Sequence, residues 1–185
     1  NLPQWVYTQF GSAKMGAVLV TVNTNFRAFE LEYLLKQSDS TILILTGGIR
    51  EPDEFIRILQ EVCPEINSCE PGKIKSGKLP HLKSVVHLGK EKIPGMYNWD
   101  DLMAFGESIT DAELAERSGS LDPEDVVMMQ YTSGTTGYPK GVMLTHRNLI
   151  GNARSMAGIM ALTPDDSLCI PVPLFHCFGC VIGTM

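Results

Sequence analysis

No apolar stretch in this sequence reaches the roughly 20 residues that a membrane-spanning helix needs. Thr, Pro and Asp break up the candidate around residues 157–175. No signal-peptide pattern is read either, in a sequence that starts at Asn1 rather than Met. Positive charge is scarce: 15 Lys and Arg stand against 21 Asp and Glu, a net charge of −6. Nucleic-acid binding favours a basic patch, so that class is set aside. Charged runs are short and mixed in sign, as on an ordinary soluble surface. Cysteine is too sparse and too irregular for a framework. The five, Cys63, Cys69, Cys169, Cys177 and Cys180, are odd in number and offer no second pair at zinc spacing. Cys177-Phe-Gly-Cys180 is formally Cys-x-x-Cys, but a redox role would want it at a helix start in a thioredoxin-like unit. Buried, unreactive thiols are the expectation, and reduced cysteines suit an intracellular, cytoplasmic location. Internal repeats and low-complexity tracts are absent. So are the Walker pattern and Gly-x-Gly-x-x-Gly.

What is present is concentrated in residues 131–145, Tyr-Thr-Ser-Gly-Thr-Thr-Gly-Tyr-Pro-Lys-Gly-Val-Met-Leu-Thr. Glycine lets the backbone turn tightly and approach a ligand closely. Successive N–H groups can then cup phosphate oxygens, the hydroxyls add donors, and Lys140 adds a positive charge. The stretch reads as a polyphosphate grip. Val126–Tyr131 ahead of it is a short apolar run expected to be a buried strand, and Gly141–Leu144 behind it is expected to be another. Thr145 is placed to cap a helix whose apolar positions Leu149, Ala153, Met156 and Met160 repeat at helical spacing. The loop thus joins two strands, whereas a Walker loop feeds a helix.

Elsewhere helix and strand signals alternate. Val6, Phe10 and Ala13 share a face of a helix ended by Gly16, and Ala17–Val22 is an apolar strand. A helix over 28–37 leads into the β-rich run Thr41–Leu45. Pro52-Asp-Glu opens a third helix with Phe55, Leu59 and Val62 inward and Pro64 at its end. Residues 71–80 read as a surface connection, and Ser84–Leu88 as a strand. Trp99–Phe105 and Thr110–Arg117 are short helices, the second with the capping pair Thr110 and Glu113. Leu168–Val172 is a further strand-like run. The fold class is α/β, a mostly parallel sheet flanked by helices.

Met129 through Lys140 matches, position by position, the AMP-binding signature of the adenylate-forming superfamily. Lys14–Asn25, Glu30–Leu35 and Ser38 resemble that superfamily's N-terminal region, and Pro173-Leu-Phe-His-Cys-Phe-Gly179 its downstream Phe/Tyr-His motif. Cys63-Pro-Glu65, Pro71-Gly72, Lys75-Ser76, Leu79-Pro80 and Gly183-Thr-Met185 are similar to the medium-chain branch called acyl-CoA synthetase family member 2. Three family motifs have no counterpart here: the aromatic-Gly-x-Thr-Glu segment, the ribose-binding aspartate and the C-terminal lysine. Residues 1–185 are therefore expected to be part of the large N-terminal AMP-binding domain, without its C-terminal part or the small C-terminal domain, and inactive in adenylation alone.

The resemblance implies ATP-dependent activation of a carboxylic acid, a medium-chain fatty acid in this branch, to an acyl-adenylate, followed by thioester formation with CoA. Thr132, Ser133, Gly134, Thr135, Thr136, Gly137 and Lys140 would hold the nucleotide's phosphates. Lys140 is also a catalytic candidate, because phosphoryl and nucleotidyl transfer rest on positioning and charge neutralisation. Mg²⁺ is implied by the family; no ligand cluster for it is read in the sequence. His176 is the second catalytic candidate and, with Phe175, would contact the acid; in the family this position lies beside the acyl carboxylate. A histidine taken alone is more often packed or solvated than catalytic, and His81 and His87 are read as structural, with His146 in the first turn of the helix after the loop. A carrier-protein thiol as acceptor, a non-catalytic nucleotide-binding module and a kinase-type phosphotransferase are the competing readings.

Overall fold

In the computed structural model, which describes residues 1–132 and 138–185, the chain divides into two units. One comprises Asn1–Thr24 with Asp111–Met185, the other Asn25–Thr110.

The first unit begins with helix α1, Pro3–Met15, whose proline sits in the first turn, where a missing N–H costs nothing. Gly16 ends the helix in the left-handed conformation at φ 75°. That positive φ is what calls for glycine here. Arg117 Nε and Ser118 Oγ of helix α5, Asp111–Gly119, donate to the carbonyls of Met15 and Lys14, each at 2.8 Å. Those are the carbonyls that a helix end leaves open.

Strand β1, Leu19–Val20, runs parallel to β5, Val126–Thr132, and β5 pairs antiparallel with β6, Lys140–Thr145. The expected two-strand setting of the loop is therefore observed. A bulge between Val126 and Met128 shifts the register, after which Met128 faces Leu144 and Thr132 faces Lys140. Thr145 caps helix α6, His146–Ile159: its Oγ1 accepts the Asn148 N–H at 3.2 Å, and Asn148 Oδ1 accepts the Thr145 N–H at 3.0 Å. That reciprocal arrangement satisfies two otherwise open donors. Leu149 and Ala153 then bury against Val127, Met128, Cys180 and Val181, with Trp5, Ala13, Leu19 and Leu144 around them.

The second unit holds a parallel sheet in the order β2, β3, β4, formed by Ile42–Leu45, Ser84–His87 and Tyr97–Asn98. Parallel neighbours need a long crossover. Between β2 and β3 it contains α3, Glu54–Val62, and a 3₁₀ turn, Pro64–Ser68. Helix α2, Ala28–Gln37, buries Leu31, Leu34 and Leu35, and α3 buries Ile56, Leu59 and Val62. Asn98 caps α4, Trp99–Gly106: its Oδ1 accepts the Asp101 N–H at 2.9 Å, and Asp101 Oδ2 accepts the Asn98 N–H at 3.0 Å.

Several expectations change. Phe10 is exposed, and the inward face of α1 carries Gln9 instead, only 3% accessible. Ile56 is buried on α3 where Phe55 is half-buried. Residues 71–80 are not a plain surface connection, because Ile74, Ser76 and Leu79 are buried; Ile74 donates its N–H to the Lys83 carbonyl at 3.3 Å, tying the segment to the end of β3. Residues 168–172 form no strand. An apolar β-rich run becomes a strand only where another strand offers its N–H and C=O groups; here Leu168 stays exposed, and the Val172 carbonyl accepts instead from Asn1 Nδ2 at 2.8 Å.

Candidate functional site

The loop is framed by the last pair of a β-ladder. Thr132 ends β5 and Lys140 begins β6, and the two are cross-strand partners. Side chains of such a pair share one face of the sheet with their Cβ atoms about 5 Å apart. Both residues are exposed. Among the described residues no carboxylate forms an ion pair with Lys140, which leaves its ammonium open to an anionic ligand. Ser133, Gly134, Thr135, Thr136 and Gly137, the other candidate phosphate contacts, lie outside the described residues. Tyr138 is exposed and Pro139 half-buried.

His176 lies on an exposed turn ahead of a short π-helical segment, Phe178–Ile182. Its N–H donates to the Pro173 carbonyl at 3.1 Å, and its own carbonyl accepts the Cys180 N–H at 3.0 Å. The ring is tied as well: Nδ1 accepts the Phe178 N–H at 3.2 Å. A nitrogen that accepts carries no proton, so this bond selects the tautomer with the proton on Nε2. Cys177 Sγ lies 3.7 Å from the same Nδ1. Phe175 is half-buried. Phe178, Met156, Met160, Leu168, Ile170 and Ile182 line an apolar cavity of about 230 Å³ beside the turn; Phe175 is not among its walls.

The link between loop and turn is indirect and runs through β5. Gln130, two residues before Thr132, donates from Nε2 to Cys180 Sγ at 3.0 Å and to Met128 Sδ at 3.3 Å. Burial pushes the Cys180 thiol up to about 11, a rise partly offset by the Gln130 hydrogen bond. Cys180 is thus the buried, unreactive thiol expected of it. Cys177 and Cys169, by contrast, are exposed, because the turn and the 168–172 segment lie on the surface. The sequence reading missed Gln9, Gln130 and Asn1. Asn1 Oδ1 accepts the Leu174 N–H at 2.9 Å and so holds the strap leading to His176. Gln130 had one visible signal, a lone polar residue at the end of an apolar strand.

Among the described residues no group of three or more His, Cys, Asp and Glu side chains could hold a metal ion, and no helix is long and apolar enough to cross a membrane. His81 faces Asp39 on the surface, with Nε2 at 3.5 Å from its Oδ1. His87 is buried in β3 and His146 opens α6.

The glycine- and hydroxyl-rich segment is thus framed by two strands of a sheet of mixed strand direction. The family of AMP-binding enzymes matches residues 1–185, and the chain belongs to that family. It is 52% identical over its whole length to a Bacillus subtilis (strain 168) protein, YngI, named as an acyl-CoA synthetase, and covers 34% of that relative. It is 36% identical to a mitochondrial protein of Bos taurus named medium-chain acyl-CoA ligase ACSF2, again over the whole chain and 31% of the relative. A solved long-chain-fatty-acid-CoA ligase, FadD1 of Archaeoglobus fulgidus, superposes with a TM-score of 0.63 at 27% identity, over 98% of this chain and 31% of that one. The chain thus spans about a third of the length of the curated relatives it matches.

Proposed function

We propose that this chain is part of the N-terminal AMP-binding domain of an enzyme that activates a carboxylic acid with ATP and passes the acyl group to CoA. The observation that carries the reading is the pairing of Thr132 with Lys140 at the mouth of the signature loop, which sets a hydroxyl and an ammonium at one edge of the grip. A carboxylate is a poor acyl donor because its leaving group would be oxide. In the proposed first step a carboxylate oxygen attacks the α-phosphorus of ATP. The bond to the bridging oxygen breaks, and pyrophosphate leaves with the electron pair. In the second step the CoA thiol adds to the acyl carbonyl, AMP leaves, and the thiol's proton passes to solvent.

Phosphoryl and nucleotidyl transfer depend on holding and neutralising spread charge. Lys140 would neutralise the departing pyrophosphate, with Thr132 and the 133–137 segment cradling it. Mg²⁺, expected from the family, finds no protein cage among the described residues; phosphate oxygens and water would be its main ligands. His176 would donate from Nε2 to the acid's carboxylate, with Phe175 as its neighbour. A medium-chain fatty acid is the substrate class favoured by the similarity to the ACSF2 relatives. The free cysteines fit a reducing, intracellular compartment.

The test is an assay of the full-length protein with ATP, CoA and a panel of acids. AMP together with an acyl-CoA thioester is expected. ADP would point to a kinase instead, and absence of turnover to a binding module. Lys140→Ala is expected to slow adenylation about 100-fold, the usual loss for removing one contact to charge that develops in the transition state. An unchanged rate would remove Lys140 from the mechanism. The 185-residue chain by itself is expected to show no pyrophosphate exchange, since it holds no counterpart of the family's adenylating lysine.

A further inference from the structure

Buried amide side chains need partners for every polar atom, because an unsatisfied one costs its full desolvation. Gln9 is the most deeply buried polar residue among the described residues of its unit at 3% accessibility, and the two residues its amide reaches lie 171 or more positions away. Its Nε2 donates to the Cys180 carbonyl at 2.8 Å, and its Oε1 lies 3.0 Å from Thr184 Oγ1. The reason for that demand lies in the backbone of the turn. Met185 gives its N–H to Val181 O at 3.2 Å, and Gly183 gives its N–H to Phe178 O at 3.1 Å. The Cys180 carbonyl between them takes Gln9 Nε2 as a side-chain donor, and Thr184 Oγ1, 2.6 Å from that carbonyl and 3.0 Å from Gln9 Oε1, has one proton to give to one of the two. The other side of Cys180 leads straight to His176, whose carbonyl accepts the Cys180 N–H at 3.0 Å, while its ring accepts the Phe178 N–H.

We infer that Gln9 is a positioning residue for the acid-binding turn: from helix α1 it clamps Cys180 and Thr184, and through them sets the backbone and ring tautomer of His176. This rests on the reading of His176 as the acid-contacting residue. Gln9 would act through Cys180 and Thr184 rather than on the acid or ATP. Its effect is to keep the Phe178 N–H aimed at Nδ1, so that Nε2 holds the proton and stands ready to donate to a carboxylate. Gln130 contributes a second tie at the Cys180 sulfur, but a sulfur acceptor is weaker, and the carbonyl clamp is the one that fixes the peptide.

The experiment uses the full-length protein and two substitutions. Gln9→Leu removes the clamp with similar volume. Gln9→Glu keeps an acceptor for Thr184 but turns an oxygen toward the Cys180 carbonyl. Both are expected to raise KM for the acid about tenfold, the scale of one lost buried hydrogen bond, while KM for ATP stays within about twofold. In ¹⁵N spectra of the His176 imidazole, the wild type is expected to show one dominant tautomer and both variants a mixture. Thr184→Val, which removes only the hydroxyl, is expected to produce a smaller shift in the same direction. Parallel changes in both KM values, or an unaltered tautomer signal in a folded variant, would overturn the inference and leave Gln9 a packing residue. If the wild type activates no acid, the proposed function falls, and the tautomer signal still decides whether Gln9 sets His176.

Discussion

Lys140 and Cys180 show how one side chain's chemistry follows from what it touches. The cation at the loop mouth has no carboxylate partner among the described residues, and a phosphate is the partner proposed for it. Cys180 is sealed under α1 and β5. Below pH 8 iodoacetamide is expected to label Cys177 and Cys169 readily and Cys180 only on unfolding, since burial holds the Cys180 proton up to about 11. Peptide mass spectrometry checks this, and equal labelling of all three would count against it. The same shift has a stability consequence. With the folded value raised from 9.0 to about 11, the unfolded thiol ionises first. Its stabilising contribution is whole below pH 9 and is lost as pH rises towards 11. Urea midpoints of the wild type and of Cys180→Ala are expected to converge over that interval.

At the scale of elements, the clearest sequence signals were the ones whose physics is local. Helix α2 spans 28–37 as expected, because Glu30 accepting the Arg27 N–H at 3.0 Å and three leucines at helical spacing need nothing distant. Thr145 caps α6 for the same reason, and the equally local Asn98 cap of α4 is one the sequence reading did not single out. Asn98→Ala is expected to cost about 1–2 kcal/mol, since Asn98 is buried and also donates from Nδ2 to the Lys90 carbonyl at 3.2 Å; a lower urea midpoint would register it. Thr145→Ala is expected to cost about 1 kcal/mol and to loosen the join between β6 and α6. The strands were legible only where pairing partners exist. Thr41–Leu45 and Ser84–Leu88 are realised nearly as expected, as β2 and β3. Ala17–Val22 shrinks to the two residues Leu19–Val20, and 168–172 has no strand at all.

Across the molecule, each unit has a core of its own, and core truncations carry the largest penalties. Leu59→Ala, at a fully buried position of α3, is expected to cost about 2–5 kcal/mol, measured as a fall in unfolding free energy in urea. The sequence alone determined the loop and its two-strand setting, the Thr145 cap and the alternation of helix and strand. These follow from glycine geometry, hydroxyl placement and hydrophobic period, all read within a few residues. Only the tertiary structure decided that α1 turns Gln9 rather than Phe10 inward, that Cys180 is sealed while Cys177 is open, and that the Gln9 amide meets the Cys180 carbonyl from the opposite end of the chain. A polar side chain is buried only where a distant partner waits for it, and no local pattern records where that partner will be.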